Sequence, residues 1–272
     1  MLHLEEVIVF TFIYFLMSLL FYIFLPKFIA NGKNKVSDTH IYYSYYPSWI
    51  HAFISLILIS WKFSKEGIAL GSPSSEFSKF IVAHSLGYFI HDTLKDELIG
   101  LNQMSLRFHH ILVLVAFSSA LISNYGSCEL VNGLFLAEIS NIFQVFWFIL
   151  VYLNLRNNKV FQINEALFAG SFTILRTFFG PGYSIRLFGS LNTPFIIKIF
   201  GLTLNSLGTV WISEVVSTIG LKLFGDSTTK YGIHLKQFFE GLKKSIFTKI
   251  LFASSIIIPQ VIFSIHAYLN RI

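Results

Sequence analysis

The sequence predicts an all-α membrane protein, a polytopic bundle of seven or eight transmembrane helices. Three features point there. Of the 272 residues, 54% are hydrophobic and only 12% charged, where soluble domains carry about 25% charge. Eight apolar runs approach the ~20 residues that a helix needs to cross a bilayer. Lys and Arg fall mostly between those runs.

The first run, Val7–Leu25, meets the length requirement and reads as a retained span. No Lys or Arg precedes it and no small-residue cleavage site follows. Pro26 and Asn31-Gly32 then break the helix, and a linker with Lys27, Lys33 and Lys35 leads to Pro47. The second span runs from near Trp49, or from within Tyr42–Tyr46, to near Trp61. Tyr46, Trp49 and Trp61 suit the aromatic belt at a membrane interface. After the loop Gly71-Ser72-Pro73-Ser74-Ser75, Phe77 to about Glu97 forms the third and least apolar span. Phe108–Ile122 is the fourth, Leu130–Leu153 the fifth and Ile163–Phe179 the sixth, closed by Gly180-Pro181-Gly182. Pro194–Leu223 is the seventh. Residues 226–244 are basic and amphipathic, suited to the interface. Ile246–Tyr268, with Pro259 inside, is the eighth candidate.

A net charge of +6 would suggest nucleic acid in a soluble protein. No basic stripe with interleaved aromatics occurs, so nucleic acid is not an expected partner. Cys128 is the single cysteine, which excludes an intrachain disulfide and a CxxC motif. It reads as a small apolar residue near a helix end.

Charge also sets orientation. The loops 26–48, 95–107, 154–162 and 222–249 hold about 13 Lys and Arg, the opposite loops and tails about 5, so the first set is cytosolic. A glycosylation acceptor inserted in 226–244 is therefore expected to stay unmodified in microsomes; efficient glycosylation would reverse the topology.

Ionisable side chains inside hydrocarbon are costly and mark function. The third to fifth spans carry His84, His91, Asp92, His109, His110, Glu138 and Asn141. On this topology His51, His91, Asp92, His109 and His110 share the cytosolic depth, with His84 about 10 Å deeper at 1.5 Å rise per residue. Glu138 falls near mid-membrane, and Arg176 and Glu214 are buried in later spans. An internal chamber open to the cytosolic side is expected to gather them. Each also has a plainer reading. His109 and His110 fit solvated histidines at a helix end. Asp92 fits an i,i+3 ion pair with Lys95, and its functional reading is a carboxylate orienting His91 or His109. Asp96 and Glu97 read as a solvated helix end. Glu138 and Arg176 read as a buried structural pair, with Glu214 an alternative partner and a lipid phosphate or carboxylate an alternative ligand for Arg176. Gly201, Ser206 and Gly208 read as helix-packing positions. The HxxHH boxes of membrane di-iron enzymes are missing, and no metal or other cofactor is expected.

The order of these residues resembles the TLC domain. His51-Ala52 is followed by Gly87-Tyr88-Phe89-x-x-Asp92, then His109-His110, then Glu138-Ile139-Ser140-Asn141, then Arg176 before Pro181-Gly182. The resemblance covers roughly 40–225 and implies a six-helix core with an interior cavity, usually in the endoplasmic reticulum. Residues 1–39 then form an N-terminal helix and linker, and 226–272 a basic amphipathic segment and a C-terminal hydrophobic helix. Ceramide synthases in this family join acyl-CoA to a sphingoid base through HHxxT and HDxxD motifs. Here His109-His110 is followed by Val113 where Thr would stand, and the second motif reads Glu138-Ile139-Ser140-Asn141. The small TLC domain-containing branch is the better likeness.

The expected function is therefore lipid binding or handling in an intramembrane cavity, serving membrane lipid homeostasis. The partner is a sphingoid, acyl or phospholipid molecule, and a homodimer is left open. The alternative is an acyl-CoA-dependent N-acyltransferase, with His109, His110 and Asp92 catalytic and acyl-CoA as co-substrate. A second alternative is a non-catalytic cargo receptor or chaperone.

Overall fold

The computed structural model describes residues 3–25, 36–68, 70–100, 104–224 and 230–269. Its regular elements are helices: α1 Leu4–Phe24, α2 Val36–Glu66, α3 Glu76–Ile99, α4 Met104–Ile122, α5 Ser127–Tyr152, α6 Lys159–Ile174, α7 Gly180–Gly189, α8 Phe195–Phe224, α9 Lys230–Lys244 and α10 Ile246–Leu269. The protein is an all-α, multi-pass membrane protein. Among the described residues, α1, α4, α5, α8 and α10 are by themselves long and apolar enough to cross a bilayer.

Two compact units make up the chain, Met1–Phe168 with Asn192–Phe200, and Ala169–Leu191 with Gly201–Ile272. In the first, α3 is the hub and packs against α1, α2, α4 and α5. It is buried without a break from Ile81 to Phe89. A helix enclosed by protein on all sides has no face that must match lipid, and this is why α3 can be the least apolar span. Ser75 caps its start by accepting from the Ser78 N–H, and Gly100 ends it in the left-handed region at φ 75°.

Gly87 sets the α1–α3 crossing. A Cβ there would lie 2.7 Å from Phe10 Cβ and 2.9 Å from both the Thr11 nitrogen and the Val7 oxygen. Two helix backbones meet this closely only where a small residue removes the side chain between them.

The loops at the N-terminal end of α3 are tied together by one acid. Glu129 is fully buried in the first turns of α5. Its carboxylate accepts from the Gly71 N–H and the Thr193 hydroxyl, each at 2.7 Å. Lys198, also buried, interacts with it electrostatically. Asn192 donates to the Gly71 carbonyl, and the Ser74 N–H to Asn124. The sequence reading did not single out Glu129.

Three expectations are corrected. The helix that carries the second span begins at Val36, so residues read as linker are helical and Pro47 lies inside α2; Lys27, Lys33 and Lys35 fall outside the described residues. Gly180-Pro181-Gly182 does not form a turn. The chain passes from α6 through a π-helical turn, Leu175–Phe179, straight into α7. The wider π turn, in which the Gly180 N–H reaches back to the Leu175 carbonyl, carries the helix through the proline at Pro181, which has no N–H to give. Asp96 is not solvated, as described below.

In the second unit, Gly201 packs on Leu187 and Gly208 on Arg176 Cδ, with would-be Cβ distances of 2.6 and 3.0 Å. α7 packs on α10, and α9 on α10.

Candidate functional site

The first unit gathers the polar residues of α1 to α5 into two linked groups. The deeper one is centred on His51 of α2. α2 starts 15 residues before it, so His51 lies mid-helix rather than at the cytosolic mouth. The sequence predicts His51 level with Asp92; it instead meets Ser85 and Tyr88, one to two turns away along α3.

His51 is 1% exposed. Its ring stacks on Tyr88 with centroids 3.8 Å apart and faces His84 at 5.3 Å. His51 Nδ1 is 3.8 Å from Glu138 Oε1 of α5. Its Nε2 meets the hydroxyls of Ser55 at 3.2 Å and Ser85 at 3.3 Å. Glu138 also accepts from the Asn141 amide at 3.4 Å, one turn on. His84 Nε2 hydrogen-bonds the Tyr14 hydroxyl at 2.8 Å, and His91 Nε2 the Ser18 hydroxyl at 2.8 Å. The Nδ1 atoms of His84 and His91 are buried and make no hydrogen bond among the described residues.

α1 thus completes the site, although its sequence reads as a plain hydrophobic span. A signal was present. Val7, Thr11, Tyr14 and Ser18 recur at i, i+4, i+7 and i+11, one helical face. Val7 and Tyr14 are the buried residues of α1, and lipid-facing residues such as Phe12 and Phe24 are exposed.

The second group lies one turn further along α3. Asp92 pairs with Lys95, and Lys95 also reaches Asp96 at 3.1 Å. His110 Nε2 of α4 is 3.4 Å from Asp92 Oδ2. Asp92, Asp96 and His110 are all buried. Asp96 is drawn inward because it follows Asp92 at i+4 and therefore shares its face. Glu97 points elsewhere and takes a two-pronged contact from Arg107. The ion pair and the carboxylate–imidazole contact of Asp92 coexist, and the imidazole is His110 rather than His91 or His109. His109 is half-buried, its ring 5.6 Å from that of His110.

Phe89 bridges the groups, its ring 5.8 Å from His51 and 6.2 Å from both His109 and His110. The ligand atoms of Asp92, Asp96 and His110 lie within 4.8 Å of one another, close enough for a cation. Lys95 Nζ supplies a positive charge between the two carboxylates.

Arg176 and Glu214 belong to the second unit. Arg176 lies over the Phe172 ring at 5.5 Å. Glu214, expected to be buried, is exposed and pairs with Lys249.

Along α4, Leu114 and Ser118 follow His110 at i+4 and i+8. They line a groove of about 690 Å³ with Val115, Ile122 and Pro194.

A sequence model of the TLC domain matches residues 8–217. The chain belongs to the TLC domain family. The match begins in α1, in keeping with the part α1 takes in the cluster. TLC domain-containing protein 2 of Danio rerio is 31% identical over 106 residues, which are 38% of this chain and 42% of that protein. The aligned part is thus under half of the relative's length. No solved structure matches the chain.

Proposed function

We propose that this TLC-domain protein binds the polar head of a membrane lipid at the α1–α5 cluster and so contributes to lipid homeostasis, in the endoplasmic reticulum. The observation that supports the reading most is the concentration of Tyr14, His51, His84, Tyr88, His91, Asp92, His110 and Glu138 inside one membrane bundle. Burying so many ionisable groups without a role opposes folding. The groove beside Leu114 and Ser118 is suited to an acyl chain running down α4 from His110.

Charge indicates the class of head group. Two carboxyl groups, Asp92 and Asp96, stand around one ammonium, Lys95, beside His110. An amine-bearing lipid complements a set richer in carboxyl groups than in cations, and a phosphate alone does not.

The Asp92–His110 contact favours a second reading, acyl transfer from acyl-CoA. A carboxylate that fixes an imidazole makes it an oriented general base. His110 would take a proton from the lipid amine as nitrogen attacks the thioester carbonyl. The C–S bond then breaks, and the proton passes to the leaving thiolate, giving an amide and free CoA.

Lipid extraction and mass spectrometry of the purified protein test both readings, with and without added acyl-CoA. The leading reading expects an amine-bearing lipid held near one per chain, unchanged by acyl-CoA. The second expects in addition an N-acylated product that falls at least ~100-fold in His110→Gln, the usual scale of general-base catalysis. Protein that is folded but free of lipid and product contradicts both.

A further inference from the structure

Four side chains in the second unit, outside the cluster above, are buried and polar, and their polar side-chain atoms make no hydrogen bond among the described residues: Ser184 of α7, Asn205 of α8, and Gln260 and Ser264 of α10. The most exposed of them, Asn205, is 6% accessible. Both carboxamide atoms of Asn205 and of Gln260 are unmet, as are both hydroxyls.

Their placement is not scattered. Asn205 sits against α7, where a Cβ on Gly180 would lie 2.0 Å from its Oδ1. Ser184 follows Gly180 by one helical turn, on the same face. α7 packs in turn on α10. The fully buried side chains described on α10 are Ala253, Gln260 and Ser264, spaced seven and four, again one face. Pro259 adds to the set, because without an N–H it leaves the carbonyl of residue 255 lacking its helical donor.

Hydrocarbon offers no replacement partners, so buried amides and hydroxyls in a membrane bundle are normally paired across helices or to water. We infer that Ser184, Asn205, Gln260 and Ser264 form a second polar site, which takes a neutral hydroxyl-bearing guest. Two amides and two hydroxyls offer donors and acceptors in mixture and no charge. Arg176 packs on Gly208, one turn along α8 from Asn205, and has its guanidinium over Phe172. A hydroxyl both donates and accepts, and so satisfies an amide and a serine together. The guest is either the free hydroxyl of a lipid such as a diacylglycerol or a short chain of water. This inference does not rest on the reading of the α1–α5 cluster, since no residue is shared.

The test uses the full chain in phosphatidylcholine nanodiscs with a diacylglycerol that carries a photoreactive group near its hydroxyl. The expected result is labelling of peptides from 180–189 and 253–264, reduced at least fivefold in Asn205→Leu/Gln260→Leu, with labelling of α1 unchanged. Gln260→Met, close in shape, gives the same comparison if the double variant does not fold. No labelling of these peptides, with Gln260→Met and Asn205→Leu each less heat-stable than wild type, assigns the site to water. No labelling, with both variants as stable as wild type or more so, overturns the inference, because unmet amides would then have been removed without loss.

Discussion

Glu129→Ala is expected to lower the thermal midpoint by about 10 °C or to prevent folding. Glu129 holds Gly71 and Thr193 at 2.7 Å and interacts electrostatically with Lys198. Each buried donor left without its acceptor costs about 1–3 kcal/mol, and removal of the carboxylate leaves two, the Gly71 N–H and the Thr193 hydroxyl. In a domain of this size each kcal/mol moves the midpoint by roughly 2–4 °C. Glu129→Gln keeps a carbonyl acceptor for the two donors but loses the charge, and should fall between. Fluorescence-detected size exclusion after heating measures all three proteins. A midpoint within about 2 °C of wild type for Glu129→Ala would contradict this account of the loops.

The second large effect is expected from Gly87→Leu. The atoms in the way of a Gly87 side chain include backbone of α1, the Thr11 nitrogen and the Val7 oxygen at 2.9 Å. Backbone cannot rotate aside as a side-chain tip can, so α1 must move off α3. Overpacking of this kind costs about 1–3 kcal/mol, occasionally more. The Tyr14–His84 and Ser18–His91 bonds, both 2.8 Å, would be lost with it. Cysteines placed at Phe10 and Phe80, whose rings are 5.5 Å apart, report the crossing through a short thiol crosslinker in a Cys128→Ser background. The yield should drop several-fold in Gly87→Leu and less in Gly87→Ala. An unchanged yield would show that the crossing does not depend on Gly87.

The helices were legible in the sequence because hydrocarbon imposes long apolar runs, and each of the eight runs falls on a helix. The run was a poorer guide to where a helix begins. Val36 to Pro47 is helical although its polar and aromatic residues do not form an apolar run, and His51 therefore lies mid-helix beside Ser85 and Tyr88 rather than level with Asp92. The Pro-Gly pair after Phe179 was read as a stop, yet a π turn let Pro181 enter the next helix at its first turn. The acids and histidines of α3 to α5 stood out by their cost in a membrane. Tyr14 and Ser18 did not, since tyrosine and serine are cheap enough in a span to pass as filler, and only their spacing gave the face away. Glu129 was hidden for another reason. It lies in the first turn of α5, where acids are ordinary, and its partners are a loop N–H, Thr193 and Lys198, more than 50 residues away in the chain.

Asp96 illustrates how one face decides a role. Neighbouring Glu97 points about 100° away on the helix and is half exposed with Arg107. Asp96 turns inward and completes a buried set with Asp92, Lys95 and His110.

The central claim is that the buried polar cluster recognises lipid rather than holds the bundle together. Replacing both members of a buried pair by apolar residues of similar size is often neutral or stabilising, by up to ~4 kcal/mol, whereas the pair's chemistry is lost. The decisive measurement is native mass spectrometry of His51→Leu/Glu138→Leu beside wild type, with a thermal midpoint for each. The cluster as a lipid site predicts that the double variant stays folded at or above the wild-type midpoint and loses its bound amine-bearing lipid. A double variant that keeps the same lipid complement, or that unfolds while wild type carries none, would contradict it.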